Sequence, residues 1–296
     1  MNTAQTIIDG FALGAVYALV AIGLALVFGV MRLVNFAHGE LITAGGYTLA
    51  LTGGWPLAAS LALCFAVCIG LAVLIERVAF RPLRGAAPTT TLIATFAVAF
   101  TLEAIWLVAF GPQGNPVSSL VSLNGPAVHH GTLNIRWVTV VMIAAGIGLL
   151  GASGLFLNRT SFGLQMRAAA TDFRTARLLG VRADIVISVA FVFAGAFAAA
   201  VAILLSVQSP LITPDFGLQV TIFALVGVVL GGLGRLWTAT LGGFAVGFAT
   251  SVLGEVLSSN SRVFLTSFVS LLVIVALLLR PSGLFAPFRA TSGERV

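Results

Sequence analysis

The sequence predicts an all-α integral membrane protein: a polytopic bundle of about eight transmembrane helices plus one broken or re-entrant segment, in a single domain over residues 1–296. Three observations carry this. Hydrophobic residues make up 59% of the chain and charged ones only 8%, where a soluble domain carries about 25% charged residues. Apolar stretches at 7–30, 56–75, 88–110, 137–157, 185–207 and 263–279 approach or exceed the roughly 17–25 residues that cross ~30 Å of hydrocarbon as a helix. Inside lipid each backbone amide needs an internal partner, which leaves helices or closed barrels, and runs of this length without strict alternation are helical.

The third observation is where the charge sits. All 15 basic residues are Arg, with no Lys. Arg77, Arg81 and Arg84 follow the second long stretch, Arg159, Arg167, Arg174, Arg177 and Arg182 fill the connector 158–183, and Arg280, Arg289 and Arg295 follow the last stretch. Clusters at alternate membrane exits mark cytoplasmic loops. The connector 111–136 carries no charge up to Ile135 and is therefore external. A net charge of +6 thus reports topology, not a nucleic-acid partner. Multi-pass insertion in a bacterial inner membrane is the expected location.

The elements follow in order. The first stretch has no positive residue before it and no small-residue cleavage site after a short core, so it is expected to remain as a span. Span 56–76 runs inward, 88–110 outward, 137–157 inward and 184–207 outward. Residues 208–216, with Pro210 and Pro214, form a short external turn. Then 218–231 runs inward, 237–257 outward and 263–279 inward, with Arg262 in the external loop 258–262 as the exception to the charge bias. Leu41 to Gly54 is apolar but only 14 residues long and is interrupted by Gly45, Gly46, Gly53 and Gly54. Such a segment suits a broken or re-entrant helix inside a bundle. If it re-enters, the chain has eight crossings and a cytoplasmic N-terminus, the preferred reading; if it crosses, there are nine and the N-terminus is external. Ala25-Leu26-Val27 with Gly29 and then Gly45-Gly46 is echoed by Ala224-Leu225-Val226 with Gly227 and then Gly242-Gly243. Chance is one reading of this short match. An inverted repeat is the other, since Gly-interrupted segments in corresponding halves mark the substrate path of repeat-built transporters.

The densest polar cluster runs from Arg32 through Asn35, His38, Gly39 and Glu40. His38 and Glu40 are two apart, which fits no zinc spacing, and no metal site is expected. A solvated interfacial turn is the plain reading. In the functional one, a helix stops here and its backbone lines a polar path, with Asn35 and Glu40 capping the half-helix that follows. Glu103, deep in its span, is an expensive charge that should face the bundle interior. Gly231, Gly232 and Gly234 form a Gly-rich turn that either borders the path or lets backbones approach closely; with no Lys in the chain it is no nucleotide-binding loop of the Gly-Lys-Ser/Thr type. The candidate path is therefore Asn35, His38, Gly39, Glu40, Glu103, Gly231, Gly232 and Gly234. Cys64 and Cys68 share one helix face and read as small buried residues. His129-His130 reads as solvated.

The connector 158–183 is far longer than a plain linker of about five residues. From Ser161 it shows rough helical periodicity through Leu164, Ala168, Phe173, Ala176 and Leu179, with Arg167, Arg174 and Arg177 interspersed and Gly180 placed to end it. One reading is a helix lying on anionic headgroups; a docking surface for a cytoplasmic partner is preferred. No nucleophile–base pair or metal spacing lies within a span, so the chain is not expected to be an enzyme by itself and should carry no cofactor of its own.

Four blocks, GLALVFGVMRLVNFAHGELITAGGY (23–47), RAAATDFRTARLLGV (167–181), VVLGGLGRLWTATLGGFAVG (228–247) and RPSGLF (280–285), resemble the branched-chain amino-acid ABC transporter permeases. The closer similarity is to the shorter permease of the high-affinity leucine/isoleucine/valine import system. The resemblance implies an importer with a second homologous permease subunit, two cytoplasmic ATP-binding-cassette ATPases and a periplasmic solute-binding protein. ATP and Mg would then be bound by the partner subunits. It also implies that 167–181 is the coupling helix, with Arg167, Asp172, Arg174, Ala176, Arg177 and Gly180 facing the ATPase. The chain departs from the family at Arg235-Leu236-Trp237, where relatives continue with small residues and Pro. Permeases for urea, short amides or other small polar solutes look similar and form the alternative; a stand-alone secondary transporter or channel is the alternative of another class.

Overall fold

The computed structural model describes residues 3–118, 124–130, 133–171, 173–232, 236–257, 261 and 264–279. Helices α1 (Thr3–Met31), α2 (His38–Leu51), α3 (Leu57–Ile75), α4 (Pro88–Phe110), α5 (Trp137–Arg159), α6 (Ser161–Thr171), α7 (Phe173–Leu178), α8 (Ala183–Gln208), α9 (Phe216–Gly231), α10 (Leu236–Val256) and α11 (Leu265–Leu279) account for nearly all of it. Six of them are long and apolar enough to cross a bilayer; α9 and α11 are shorter. Each expected span has its helix, because a greasy run of this length can satisfy its backbone in lipid only by coiling.

Helix α1 is the axis of the bundle. It packs most extensively on α10, then on α8, α5 and α9. Within its apolar stretch 83% of residues are buried, against 11% for α4, which lies at the edge. Water provides no drive between helices in lipid, so close packing must hold them, and small residues make it close. A Cβ on Gly242 would stand 2.0 Å from the Gly227 carbonyl oxygen, one on Gly231 2.0 Å from that of Thr238, and one on Gly243 2.4 Å from Ala21. On α1, Gly10 and Gly14 receive the rings of Phe248 and Phe244. The cysteines are buried in the same manner. Cys64 and Cys68 face Gly45 between α2, α3 and α8, with Cys68 Sγ–H donating to the Leu41 carbonyl at 3.2 Å.

The connections 111–136 and 209–215 carry short strands that the sequence does not announce. Strand β2 (Pro126–His130) pairs antiparallel with β3 (Leu133–Arg136), which places His129 opposite Asn134. Strand β1 (Asn115–Pro116) pairs with β4 (Leu211–Ile212), joining the long external loop to the α8–α9 connection, and the Val117 N–H extends the pairing to the Pro210 carbonyl.

The connectivity bears on the count of crossings, for which the sequence leaves eight or nine open. Gln5, in the first turn of α1, accepts a hydrogen bond from the Asn134 N–H of the external hairpin. At the other end of α1, Met31 and Arg32 line a cavity with Leu83, Arg84 and Arg182 of the arginine-rich loops. Helix α1 therefore runs inward, and α2 must return outward before α3 runs inward. With the loops on the sides that the arginines assign, the described helices alternate direction nine times, residues 32–37 and the 14-residue α2 making up one of the passes. The two echoed stretches, in α1–α2 and α9–α10, consequently run in the same sense, and the echo does not mark an inverted pair.

At the end facing the arginine-rich loops, α3 closes with a π-turn at Glu76–Phe80. The buried Glu76 carboxylate accepts hydrogen bonds from the Arg84 guanidinium and, at 3.1 Å, from Ser188 Oγ. Arg84 also pairs with Asp184 at the start of α8. One side chain thus fastens the α3–α4 loop to α8.

Two outcomes check this architecture. A cysteine in place of Gln5 should react with a membrane-impermeant thiol reagent on intact cells or spheroplasts, and one in place of Asn158 should not. Gly242→Val should lower stability in detergent by about 3 kcal/mol or more, since the added atoms meet backbone rather than a movable side chain. Gly148→Ala, where the added methyl meets nothing within 4 Å, should leave the melting temperature unchanged or slightly raised.

Candidate functional site

Two helix starts meet inside the bundle. Residues 211–217 descend along α2, with Ile212 against Gly46 and Gly217 against Gly39. Seven residues of α2 separate those contacts, so Gly217 lies roughly 10 Å deeper in the membrane than Ile212. A Cβ on Gly217 would be 2.0 Å from the Gly39 oxygen. The Gly217 N–H donates to Thr43 Oγ1 at 3.0 Å, and Thr43 Oγ1 donates to the Gly39 carbonyl at 3.3 Å. Only glycines allow these two backbones to touch. Two free helix N-termini thus lie side by side within the membrane, and N-termini favour negative charge.

Acidic groups occupy that neighbourhood. Glu40, in the first turn of α2, is fully buried. Its Oε2 accepts a hydrogen bond from the Trp106 indole N–H at 2.9 Å, and its Oε1 has no partner among the described residues. Glu103 on α4 and Asp215, next to the start of α9, stand close enough for their charges to act on Glu40. Asp215 is exposed on the surface of this chain, an ionisable group at membrane depth of the kind found on solute and ion pathways. An aromatic wall closes one side: Tyr47 stacks on Phe110 with ring centroids 4.2 Å apart, and Trp106 lies 5.8 Å from Tyr47. Further buried polar atoms without partners among the described residues are both nitrogens of His38, whose ring fits against Gly23 of α1, the Tyr47 hydroxyl and the Thr221 hydroxyl. Unpaired groups are costly in a membrane interior, and the Glu40 oxygen with the nearby Tyr47 hydroxyl marks the α2–α4 side as a candidate site.

The structure therefore brings together His38, Gly39, Glu40 and Glu103 of the expected path, with Asn35 at its edge. The capping roles differ from expectation. Ala37 stands at the cap of α2 with no side-chain cap. Asn35 Oδ1 instead accepts from the Ala37 N–H at 3.1 Å and shapes the turn before the helix, while Glu40 turns across to Trp106. Gly231 and Gly232 are not part of the cluster. They close the opposite end of α9, where Gly231 packs on Thr238 and Gly232 adopts φ +100°; Gly234 lies outside the described residues. Trp106, Tyr47, Thr43, Asp215 and Gly217 were not anticipated. An indole or phenol in an apolar run reads as packing, and Asp215 directly after Pro214 reads as loop.

The segment expected to dock a cytoplasmic partner folds as α6 and α7. Gly163, Met166 and Ala169 of α6 and Ala176 of α7 turn inward and are buried. Leu164, Leu178 and Leu179 point outward, the last two 83% and 81% exposed. Gly180 at φ +88° ends the segment, with the Val181 N–H returning to the Ala176 carbonyl at 3.1 Å, a left-handed glycine closure of a helix C-terminus. Arg167 donates to Asn158 at 2.6 Å. Asp172 and the side chains of Arg174 and Arg177 lie outside the described residues. The apolar face expected from periodicity is thus divided: Ala176 packs inward while the leucines remain unpartnered.

Comparison with known proteins adds the following. The family model described as the branched-chain amino acid transport system permease component matches residues 6–278. The high-affinity branched-chain amino acid transport system permease protein BraD of Pseudomonas aeruginosa is 31% identical over 95% of this chain and 94% of its own length. LivH of Escherichia coli, of the same description, is 30% identical over the same shares. The autoinducer 2 import system permease protein LsrC of Yersinia pestis is 29% identical over 84% of this chain and 70% of its own length. Among solved structures, PsaBC from Streptococcus pneumoniae in complex with Fab matches with a TM-score of 0.53 at 13% identity, covering 93% of this chain and 91% of that one, a likeness of fold.

Trp106→Phe keeps the ring but removes the only donor to Glu40 among the described residues. It should cost about 1–3 kcal/mol, the usual penalty for stranding a buried acceptor, read as a lower melting temperature in detergent.

Proposed function

Because this chain belongs to the branched-chain amino acid transport system permease family, we propose that it is a transmembrane permease subunit of an ATP-binding-cassette importer that moves branched-chain amino acids inward. The supporting observation is the end-to-end similarity, at 31% and 30% identity over 95% of the chain, to two permeases named for that transport. LsrC, named for another solute, is similar over a smaller share.

The geometry gives the reading a mechanism. A zwitterionic amino acid crosses hydrocarbon slowly because both of its charges must be stripped of water. The acidic centre of Glu40, Glu103 and Asp215 offers partners for the ammonium group, and Tyr47, Trp106 and Phe110 offer a face for the side chain. Asn35, His38 and Gly39 shape the same path. The two helix starts at Gly39 and Gly217 meet through a close backbone contact and the Thr43 hydroxyl, so a small relative shift of α2 and α9 would remodel the centre, and a permease needs two such arrangements.

Work is supplied from outside the chain. The exposed leucines 164, 178 and 179 form an apolar surface among arginines on the cytoplasmic face, and two cytoplasmic ATPases that bind ATP and Mg are the partners assigned to it. Arg167, Asp172, Arg174, Ala176, Arg177 and Gly180 belong to this coupling segment. A second homologous permease would complete the membrane unit, and a periplasmic solute-binding protein would deliver the amino acid to the external loops. The setting is a bacterial inner membrane.

The complete complex in proteoliposomes should accumulate leucine, isoleucine and valine when ATP and the loaded binding protein are present, and should not accumulate urea. Uptake of urea instead, or ion-driven uptake by this chain alone, would replace the assignment. Gly180→Trp and Arg174→Glu should each reduce ATP-driven uptake at least ten-fold while leaving membrane insertion intact. Unchanged uptake in both removes the docking role from α6–α7.

A further inference from the structure

At the cytoplasmic ends of α1, α4 and α8 lies a cavity of about 1060 Å³ that the acidic centre does not include. Its walls are largely aliphatic, from Val30, Leu33, Leu83, Val181, Ile185 and Ile187. Charges of both signs stand among them: Arg32, Arg84, Arg182 and Asp184. Arg84 reaches from Glu76 to Asp184, and its buried Nε–H has no acceptor among the described residues. A guanidinium N–H is well matched by a carboxylate, Asp184 by an ammonium, and the walls by a hydrocarbon side chain. This suits a small aliphatic zwitterion. A bare anion would make no use of the walls, and an anionic lipid headgroup would meet the Asp184 carboxylate.

The cavity and the acidic centre lie in line along the same two elements. Leu33 and Thr91 line the cavity. Three residues past Leu33, the half-buried Phe36 stacks on Phe96, five residues past Thr91, with ring centroids 4.0 Å apart and an interplanar angle of 21°. Glu40 and Glu103 follow. At the helical rise, the stacked pair sits roughly 7 Å above Thr91 and roughly 10 Å below Glu103. The two apolar rings stand face to face between those levels.

We propose that the cavity is the cytoplasmic exit vestibule for an aliphatic amino acid, and that the Phe36–Phe96 stack is the closure separating it from the acidic centre. This rests on the permease reading. Helix α4 is the element free to part the rings, since so little of it is packed within the chain. Its preceding loop is fastened by Arg84 to Asp184, on the helix that follows α7 and Gly180. Movement at the docking surface therefore reaches the closure through that ion pair.

The test uses the complete complex in inside-out vesicles and a cationic thiol reagent added to the cytoplasmic face. Leu33→Cys places a reporter in the cavity and Glu103→Cys one above the stack; the chain without either reporter, in which Cys64 and Cys68 are buried, sets the background. Leu33→Cys should react readily and Glu103→Cys at least ten-fold more slowly. Adding Phe96→Ala to Glu103→Cys should abolish that difference, and Phe96→Leu should give an intermediate rate. Phe96 is 38% exposed, so its truncation does not excavate the core. Millimolar leucine should slow the reaction of Leu33→Cys at least three-fold. Equal rates at the two positions with Phe96 intact overturn the closure, whatever the solute. Protection of Leu33→Cys by added phosphatidylglycerol but not by leucine overturns the vestibule in favour of a lipid site. Protection by urea in place of leucine leaves the closure standing and overturns the amino-acid assignment.

Discussion

Backbone touching backbone between helices is the constraint on which the molecule depends. In lipid, association cannot draw on the exclusion of water, so helices hold together by fitting closely. Gly227, Gly231, Gly242 and Gly243 let α9 and α10 approach until carbonyl oxygens of one meet Cα atoms of the other, and Gly10 and Gly14 fit α1 to the phenylalanines of α10. That block fixes the position of α9. Its first turn then comes against the first turn of α2 at Gly217 and Gly39, and the acidic centre exists because those starts meet.

The interrupted segments are where the bundle gives up regularity, and the polar chemistry gathers there. Residues 32–37 and 211–215 each bring a non-helical stretch into the bundle, which is tolerated in a membrane only where protein or a hydrated path surrounds it. Asn35 satisfies the Ala37 amide, Thr43 satisfies the Gly217 amide, and Trp106 satisfies one oxygen of Glu40. One oxygen of Glu40 and the Tyr47 hydroxyl, both beside Trp106, remain unpaired among the described residues. A fully satisfied centre would be a rigid core; a partly satisfied one has partners to accept.

Much of the fold was legible because the signal was physical and one-dimensional. Long greasy runs became helices with ends close to those expected, since lipid leaves no other backbone solution. The arginines oriented the loops. Glu103 was recognisable as an expensive charge, Glu40 as a group at the start of a helix, and Gly180 as a helix stop. What remained hidden depended on distance. The segment from Leu41 to Gly54 could cross or re-enter until Gln5 was found on the external hairpin. Gly231 and Gly232 could border a path or pack, and only the 2.0 Å approach to Thr238 decides for packing. Trp106 and Asp215 gave no signal, because the significance of each lies in its nearness to Glu40 across 66 and 175 residues of chain.

The small ladder between Asn115–Pro116 and Leu211–Ile212 has a mechanical meaning. It splices two stretches that the chain order keeps nearly a hundred residues apart, and Ile212 is wedged against Gly46 of α2. A push on the outer loop is therefore not absorbed locally. It travels as through a short lever to the beginning of α9, so whatever seats itself on the outer face holds a handle on the membrane interior.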